Sequence, residues 1–446
     1  MEIEPVDISL FSIQNEPPLK RQPFISAILY IREMLKKILD SIEESSISSI
    51  ETTTSSSRTP FISIDTLHFG VFLYEMQRLK EQGLFDQTIA LRREEIQAQK
   101  EHWAPFIKKQ EGEFYQEFYR GIELVLAEGK LVPNPSGAGS AYFLVDAEGI
   151  TRFVVKPVDE DIFCLNNRKE FGSIFNDVDH RVREDIPLYR SAQADAFCWE
   201  IASLAGIEGA TPKAVMGIIA NDDFYDFTQW IDSTEDREKF FPDREKLVSI
   251  QEFIPDSQDL IEVLHSFYQE ELTDEELASH FDQKEFEEVC LLLWLSLDTD
   301  AHGANFRSYV KRIDENGNEV YGIKKIDNGL SFPEKNSEYS NILAWMPNAM
   351  APISEDLKSK IANLPIEQIL KRIDDYELTG CKEALKERIE ILKELASRDA
   401  MTIGEIDLRF TILAHEGKEL ALSPMTTQEI IDFLGGGKST GEESSS

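Results

Sequence analysis

The chain has 446 residues, 41% hydrophobic and 29% charged, ordinary values for a globular protein and roughly three domains' worth of polypeptide. Its charge is not ordinary: 83 acidic side chains against 46 Lys and Arg leave a net −37. Such a surface repels nucleic-acid phosphates and anionic bilayers at long range, so nucleic acid is not an expected partner.

Cys164, Cys198, Cys290 and Cys381 are scattered, with neither a C-x-x-C pair nor zinc-ligand spacing, and read as reduced structural thiols. No positively charged segment opens the chain, which begins MEIEPVD. The longest apolar run, VCLLLWLSL from Val289, is about half of what a membrane span requires, so no transmembrane segment is expected. The expected location is cytoplasmic, in the cell of origin or in a host cytosol into which the chain is delivered, with peripheral membrane contact as an alternative.

Residues 1–60 form an N-terminal segment. Its first 22 residues are irregular and proline-bearing, and apolar positions at helical spacing from Pro23 to Ile42 predict an amphipathic helix, for a surface or for packing on the body. Ser45 to Ser57 is Ser/Thr-rich and reads as a linker. Residues 61–130 are predicted to be a helical accessory region, from the three-to-four spacing in LHFGVFLYEMQRLKEQGLF and in the stretch from TIALRREEI to IELVLAEG. No ligand chemistry is legible in it.

The texture changes at Pro133. NPSGAGSAYFLVDAEGITRFVVKPVDED reads as a turn, a strand over Tyr142–Val145, a hairpin at Asp146–Gly149 and a strand over Phe153–Val155. Small residues from Ser136 to Ser140, Gly139 among them, would let backbone N–H groups approach phosphates, although loops before hairpins are commonly Gly- and Ser-rich. Lys156 closes the second strand and faces back toward that loop; a lone strand-end lysine is otherwise a solvated charge.

A polar insertion over 161–190, with a turn at Asn166–Asn167, precedes the helical stretch SAQADAFCWEIASLAGIEG, which stops at Gly206. Asp195 and Glu200 on that helix are both candidate partners for Lys156, or else ordinary exposed carboxylates. TPKAVMGIIA and KLVSIQEFIP are two further strands, the second leaving the sheet at Glu252–Pro255 as a hinge with backbone groups for an adenine edge. From Leu260 to Leu297 the chain is predicted helical: the acidic stretch QEELTDEELASHFDQKEFEE as a solvated face, CLLLWLSL as a buried helix.

That buried helix feeds DTDAHGANF, in which Asp300 and Asn305 stand at the separation of the Asp and Asn in a kinase catalytic loop. Asp327 follows the apolar approach of Ile323 and Ile326 and precedes the turn dipeptide Asn328-Gly329. One acid to receive a hydroxyl proton, an amide to hold one metal ion and a second acid to hold another are what phosphoryl transfer needs. After Pro333 come a polar loop, the apolar ILAWMPNAMAP, amphipathic helices to about Leu413 and a tail over 434–446 that composition predicts to be disordered.

With these residues in hand, the segment order resembles the phosphatidylinositol 3-/4-kinase-like superfamily, and within it looks most like type II phosphatidylinositol 4-kinases. The resemblance rests on GSAYFLVDAEGITRFVVKPVDED, ATPKAV, SIQEFI, DAHGAN, IDNGLSFP and ILAWMPNAMAPISEDL, and covers about residues 131–360. It implies an α+β, two-lobed protein-kinase-like fold, with an N-lobe over 131–255 and a C-lobe over 256–433, carrying the N-terminal helical extension. It further implies Mg²⁺ and ATP as cofactors. Lys156 would neutralise the α/β-phosphates, with Gly139 and Ser140 in the phosphate-covering loop and Gln251, Phe253 and Ile254 at the nucleotide. Asp300 would be the catalytic base or orienter, His302 would contact the transferring phosphate, and Asn305 and Asp327 would hold Mg²⁺. For this to stand, Lys156 and Asp327 must meet within about 10 Å, the reach of a bound triphosphate.

The chain departs from the pattern at Ala301 and Ala304, where the family carries Arg and a second Asp, and at Ser140, where it carries Gly. The cysteine-rich palmitoylation cluster is missing, so anchoring by acylation is not expected. Between Gly329 and Trp345 the basic residue is Lys335, flanked by Glu334 and Glu338, which argues against a polyphosphorylated headgroup. Plain phosphatidylinositol at a membrane surface, with Trp345 and Met346 at the bilayer or packed in the C-lobe, is the first substrate reading. A protein substrate is the second, and a nucleotide-binding scaffold without activity the third.

Overall fold

The computed structural model describes residues 83–429 apart from 84, 110–112, 136–138, 162–163, 165, 168–180, 184, 188, 226–243, 271, 337–338, 340 and 427–428. The helix predicted from Pro23, the Ser/Thr linker, all of 62–82 and the C-terminal tail lie outside the described residues. Ile62–Ser423 groups as one unit. Of a second, Met1–Phe61 with Pro424–Ser446, only 424–426 and 429 are described; there Thr426 and Glu429 exchange hydrogen bonds.

Two helices lead in, α1 (Phe85–Lys109) and α2 (Glu113–Glu128). They are followed by β1 (Lys130–Pro133), β2 (Tyr142–Val145) and β3 (Thr151–Pro157). The hairpin between β2 and β3 is fixed by the Asp146 carboxylate, which accepts the amides of Glu148 and Ile150, and by Gly149, whose φ of 84° suits a residue without a Cβ. A short ribbon of β4 (Arg181–Arg183) and β5 (Ile186–Pro187) precedes α3 (Ser191–Leu204), then β6 (Ala214–Ala220) and β7 (Glu245–Glu252). The five-stranded sheet has the order β1-β2-β3-β7-β6, and every neighbouring pair is antiparallel.

Strand alternation sorts that sheet into two faces. Tyr142, Leu144, Val155, Val215, Val248 and Ile250 form one core with Phe118 and Ile122 of α2. Lys156, opposite Ser249 in the register, therefore points to the other face, where α3 packs against β6 and β7.

Beyond the sheet come β8 (Ser257–Asp259), α4 (Leu260–Gln269), α5 (Asp274–Ser279) and α6 (Gln283–Ser296). Next are β9 (Phe306–Ile313) and β10 (Glu319–Lys325), which with β8 form a three-stranded antiparallel sheet in the order β10-β9-β8. The helices α7 (Glu355–Ala362), α8 (Ile366–Asp375), α9 (Lys382–Ala396), α10 (Ile403–Glu416) and α11 (Lys418–Ala421) complete the unit.

Helix α6 organises this half. Asp282 caps it by accepting the Glu285 amide, Val289 to Leu295 are fully buried, and Leu297 ends it in the left-handed region at φ 47°. The acidic stretch before it is only partly a solvated face. Helix α5 buries nothing, but Glu287 and Glu288 are buried because Ser354 and Lys360 of the α7 region bond to them. All four cysteines are free and buried.

A candidate phosphoryl-transfer site

Lys156 is held between two carboxylates. Its Nζ lies 2.7 Å from Asp195 Oδ2 on α3 and 2.8 Å from Asp327 Oδ1, just beyond β10. The three residues are far apart in sequence, so this contact joins the five-stranded sheet, α3 and the end of the three-stranded sheet. Asp195 is 1% exposed, whereas the Asp327 side chain is 57% exposed. Asp195 also accepts the Asn328 amide at 2.6 Å, which fixes the turn that follows Asp327. Glu200, the other candidate on α3, turns away to Arg372 and Tyr115.

Burial alone would lower the Lys156 pKa, but the Asp195 and Asp327 carboxylates overcome it and raise it above the usual lysine value. The Lys156 ammonium draws Asp327 down to about 2 against the opposing effect of desolvation. Burial drives Asp195 upward, opposed by Lys156. Asp327 is thus held ionised and reachable by solvent.

Backbone shape contributes as well. Asp327 has φ 53°, a left-handed conformation that costs a non-glycine residue about 1 kcal/mol or more and that the Asp195 and Lys156 contacts hold in place. At Gly329 an added Cβ would lie 2.8 Å from Ser191 Cβ at the start of α3, so the turn can approach the helix only with glycine there.

The catalytic-loop candidates gather below. Asn305 Nδ2 donates to the Asp300 carbonyl at 2.8 Å and lies 3.3 Å from its Oδ2. The Ile326 amide donates to the Asn305 carbonyl at 2.9 Å, which ties Asn305 to the residue before Asp327. His302 is half exposed; its Nδ1 accepts the Ala304 amide, and its Nε2 lies 3.6 Å from Asp300 Oδ2. Since the Asn305 amide nitrogen is spent on Asp300, its oxygen is the atom left for a cation. One carboxylate and one amide oxygen fit Mg²⁺ when phosphates and water supply the remaining ligands.

Sequence reasoning passed over the scaffold beneath this loop. Lys325 and Asp298, both 0% exposed, pair at 2.9 Å, and Lys325 Nζ also donates to the carbonyls of Ile326 and Asp327. Asp298 in turn accepts the Asp300 amide at 2.6 Å and the Ser331 hydroxyl at 3.1 Å. Thr211 donates to the Lys325 carbonyl and receives the Asn328 side chain. The signal available was a lysine inside an apolar strand and an acid two residues before Asp300.

The nucleotide-side candidates are less uniform. Gln251, buried on the same sheet face as Lys156, has a side-chain nitrogen with no hydrogen-bond acceptor among the described residues, a donor suited to a ligand. Phe253 meets Phe143 edge-on, but its amide donates to the Arg152 carbonyl, and the Ile254 carbonyl accepts the Ser257 hydroxyl. The expectation of uncommitted backbone groups at the hinge is corrected at these two atoms: strand pairing continues one residue further at Phe253, and the Ser257 side chain takes the Ile254 carbonyl. Similarly, the Ser140 amide donates to the Glu160 carbonyl, which takes it from any phosphate; Gly139 sits beside Asp161. Residues 136–138 of the same loop lie outside the described residues. On the acceptor side, Lys335 pairs with buried Asp185 at 3.3 Å, Met346 is buried and Trp345 is 47% exposed.

No protein-family model matches the chain. It is similar to curated proteins of Arabidopsis thaliana: phosphatidylinositol 4-kinase gamma 6, 27% identical over 61% of this chain and 41% of that protein, and phosphatidylinositol 4-kinase gamma 5, 28% identical over 51% and 33%. A third, phosphatidylinositol 4-kinase gamma 1, is 27% identical over 52% of this chain and 37% of its own length. The chain spans less than half the length of these relatives. Among solved structures, the MAP kinase LmaMPK10 from Leishmania major aligns at a TM-score of 0.23 and 12% identity, covering 72% of this chain and 96% of that one.

Proposed function

We propose that this chain is an ATP- and Mg²⁺-dependent phosphotransferase whose acceptor is an alcohol of phosphatidylinositol. The observation that carries the reading is Lys156 Nζ within 2.8 Å of both Asp195 and Asp327, with the Asp300–Asn305 pair alongside. Magnesium bound with the nucleotide would neutralise charge developing on the transferred phosphoryl group. Asn305 and Asp327 would hold it through their side-chain oxygens. Lys156, fixed by Asp195, would meet the phosphates, and Gln251 would donate its unpaired N–H to the nucleotide. Asp300 would orient the acceptor hydroxyl and receive its proton, with His302 next to it, facing solvent.

The names of the curated relatives support the lipid-kinase class, and exposed Trp345 offers an amphipathic ring to a membrane interface. A net charge of −37 favours the second reading, a protein kinase acting on basic substrates. Incubation with labelled ATP and magnesium, with phosphatidylinositol vesicles in one arm and a protein panel in the other, separates the two. Label in lipid, lost in Asp327→Asn, supports the proposal; label in protein alone selects the second reading. Equal, negligible turnover by both forms leaves a non-catalytic nucleotide-binding scaffold.

A further inference from the structure

A buried carboxylate in the helical half has no part in the chemistry described so far. Asp407, on α10, is 5% exposed, and its Oδ1 accepts three hydrogen bonds. The donors are Trp294 Nε1 of α6 at 3.3 Å, Asn341 Nδ2 at 2.7 Å and the Tyr339 hydroxyl. All three are neutral. Burial pushes the Asp407 carboxyl up to about 6 against the pull of these bonds. An acid kept inside without a cation is costly, and three convergent donors are what makes it tolerable.

The position of Asn341 gives this cluster a direction. Its Oδ1 accepts the Leu343 amide at 2.9 Å, and its backbone forms a parallel bridge to Ala301. The Ile342 amide donates to the Ala301 carbonyl at 3.2 Å. Ala301 is fully buried and lies between Asp300 and His302. A single side chain on α10 is therefore three links from the catalytic-loop acid.

We propose that Asp407 is a positioning residue: through Tyr339 and Asn341 it clamps the stretch Asn341–Leu343 against the loop carrying Asp300 and His302. The proposal rests on the phosphotransferase reading for its effect on turnover, but the clamp is a structural claim that can be tested alone. Asp407→Leu removes all three acceptor bonds. In the full chain, amide exchange at Ile342 and Leu343 should quicken about 10-fold or more, the signature of a locally opened segment. Turnover should fall about 10- to 100-fold in kcat, as for other outer supports of a reacting group, with the KM for ATP within about twofold. Asp407→Asn, which keeps an acceptor oxygen, should restore most of that loss. Should Asp407→Leu fail to fold, Asn341→Ala cuts the same chain of contacts one step later and is read in the same two ways. Unchanged exchange at Ile342 and Leu343 overturns the clamp, whatever turnover does. Absent turnover in the wild type removes the phosphotransferase reading instead, and exchange alone then decides the clamp.

Discussion

Two lysines reach Asp327, one at its main chain and one at its side chain, and their surroundings differ. Lys325 bonds its main-chain carbonyl and pairs with Asp298 in a site where both side chains are 0% exposed. Lys156 bonds its carboxylate in a site where Asp327 is 57% exposed and the lysine 20%. The sealed pair fixes where the backbone goes, because neither charge can be exchanged for water or ligand without opening the core. The open pair is reachable by solvent, so under the proposed reading an incoming phosphate or cation would take over either partner. Under the proposed reading, a lysine paired with an acid marks scaffold in one case and chemistry in the other, and solvent access on the acid side is what separates the two.

Substitution at each lysine or its acid should break this contrast if it is mistaken. At the open pair, Asp327→Asn should lower phosphotransfer by about 1,000-fold, the scale of removing a principal electrostatic stabiliser. Its denaturation midpoint should stay close to that of the wild type, since a half-exposed ion pair contributes about 1 kcal/mol or less. Side-by-side turnover and urea titration check both parts, and a folded, fully active Asp327→Asn would remove the site. At the sealed pair the order reverses. Lys325→Met strands Asp298 in the core and should cost about 3–5 kcal/mol of stability. Adding Asp298→Leu should recover part of it, because two apolar groups no longer leave an uncompensated charge. Failure of the second change to recover anything would mean that the carbonyl and Asp300 amide bonds, not the charge pair, carry the scaffold.

A smaller effect tests how tightly the open pair's turn is seated. Gly329→Ala places a Cβ 2.8 Å from Ser191, so α3 or the turn must shift. The expected cost is about 1–3 kcal/mol from overpacking, with turnover falling as Asp195 moves relative to Lys156. A variant as stable and active as the wild type would show that the turn can move without the site noticing.

Residue order made much of this legible, for reasons that differ by element. The β2–β3 hairpin declared itself through D-x-x-G, whose carboxylate and glycine each do one local job. The Asp300–Asn305 spacing is also local, a five-residue separation that the Asn305 to Asp300 bond then uses. Partner choice was not legible. Asp195 and Glu200 are five residues apart on α3, about 140° around the helix, so only the packing of α3 decides which faces Lys156. Lys325 reads like any strand lysine until both faces of β10 are known to be covered. Asp407, in the amphipathic run IGEIDLRFTIL, is indistinguishable by pattern from a surface acid. The hinge departs from its expectation for the same cause: pairing at Phe253 depends on where Arg152 lies across the sheet.

A second sealed lysine, Lys246, sharpens the contrast most finely. Lys246, 1% exposed, pairs with both Asp159 at 2.9 Å and Glu160 at 2.8 Å, so this cluster holds two acids for one base. Burial, with Asp159 adding to it and Lys246 opposing, pushes Glu160 up to about 7 from 4.5. A carboxyl with a raised native pKa binds protons more tightly when folded, so its contribution to stability is greatest below about pH 4.5 and declines as pH rises through 7. This group alone should lower stability by about 1 kcal/mol between pH 6 and pH 8. Urea titrations across that range should show the decline in the wild type and a flatter profile in Glu160→Gln. The Asp298–Lys325 pair, by contrast, holds one acid for one base. Parallel profiles for wild type and Glu160→Gln would mean that the second acid is fully neutralised by Lys246 and the Tyr142 hydroxyl. The distinction between balanced and unbalanced sealed clusters would then fall, leaving only the one between sealed and open.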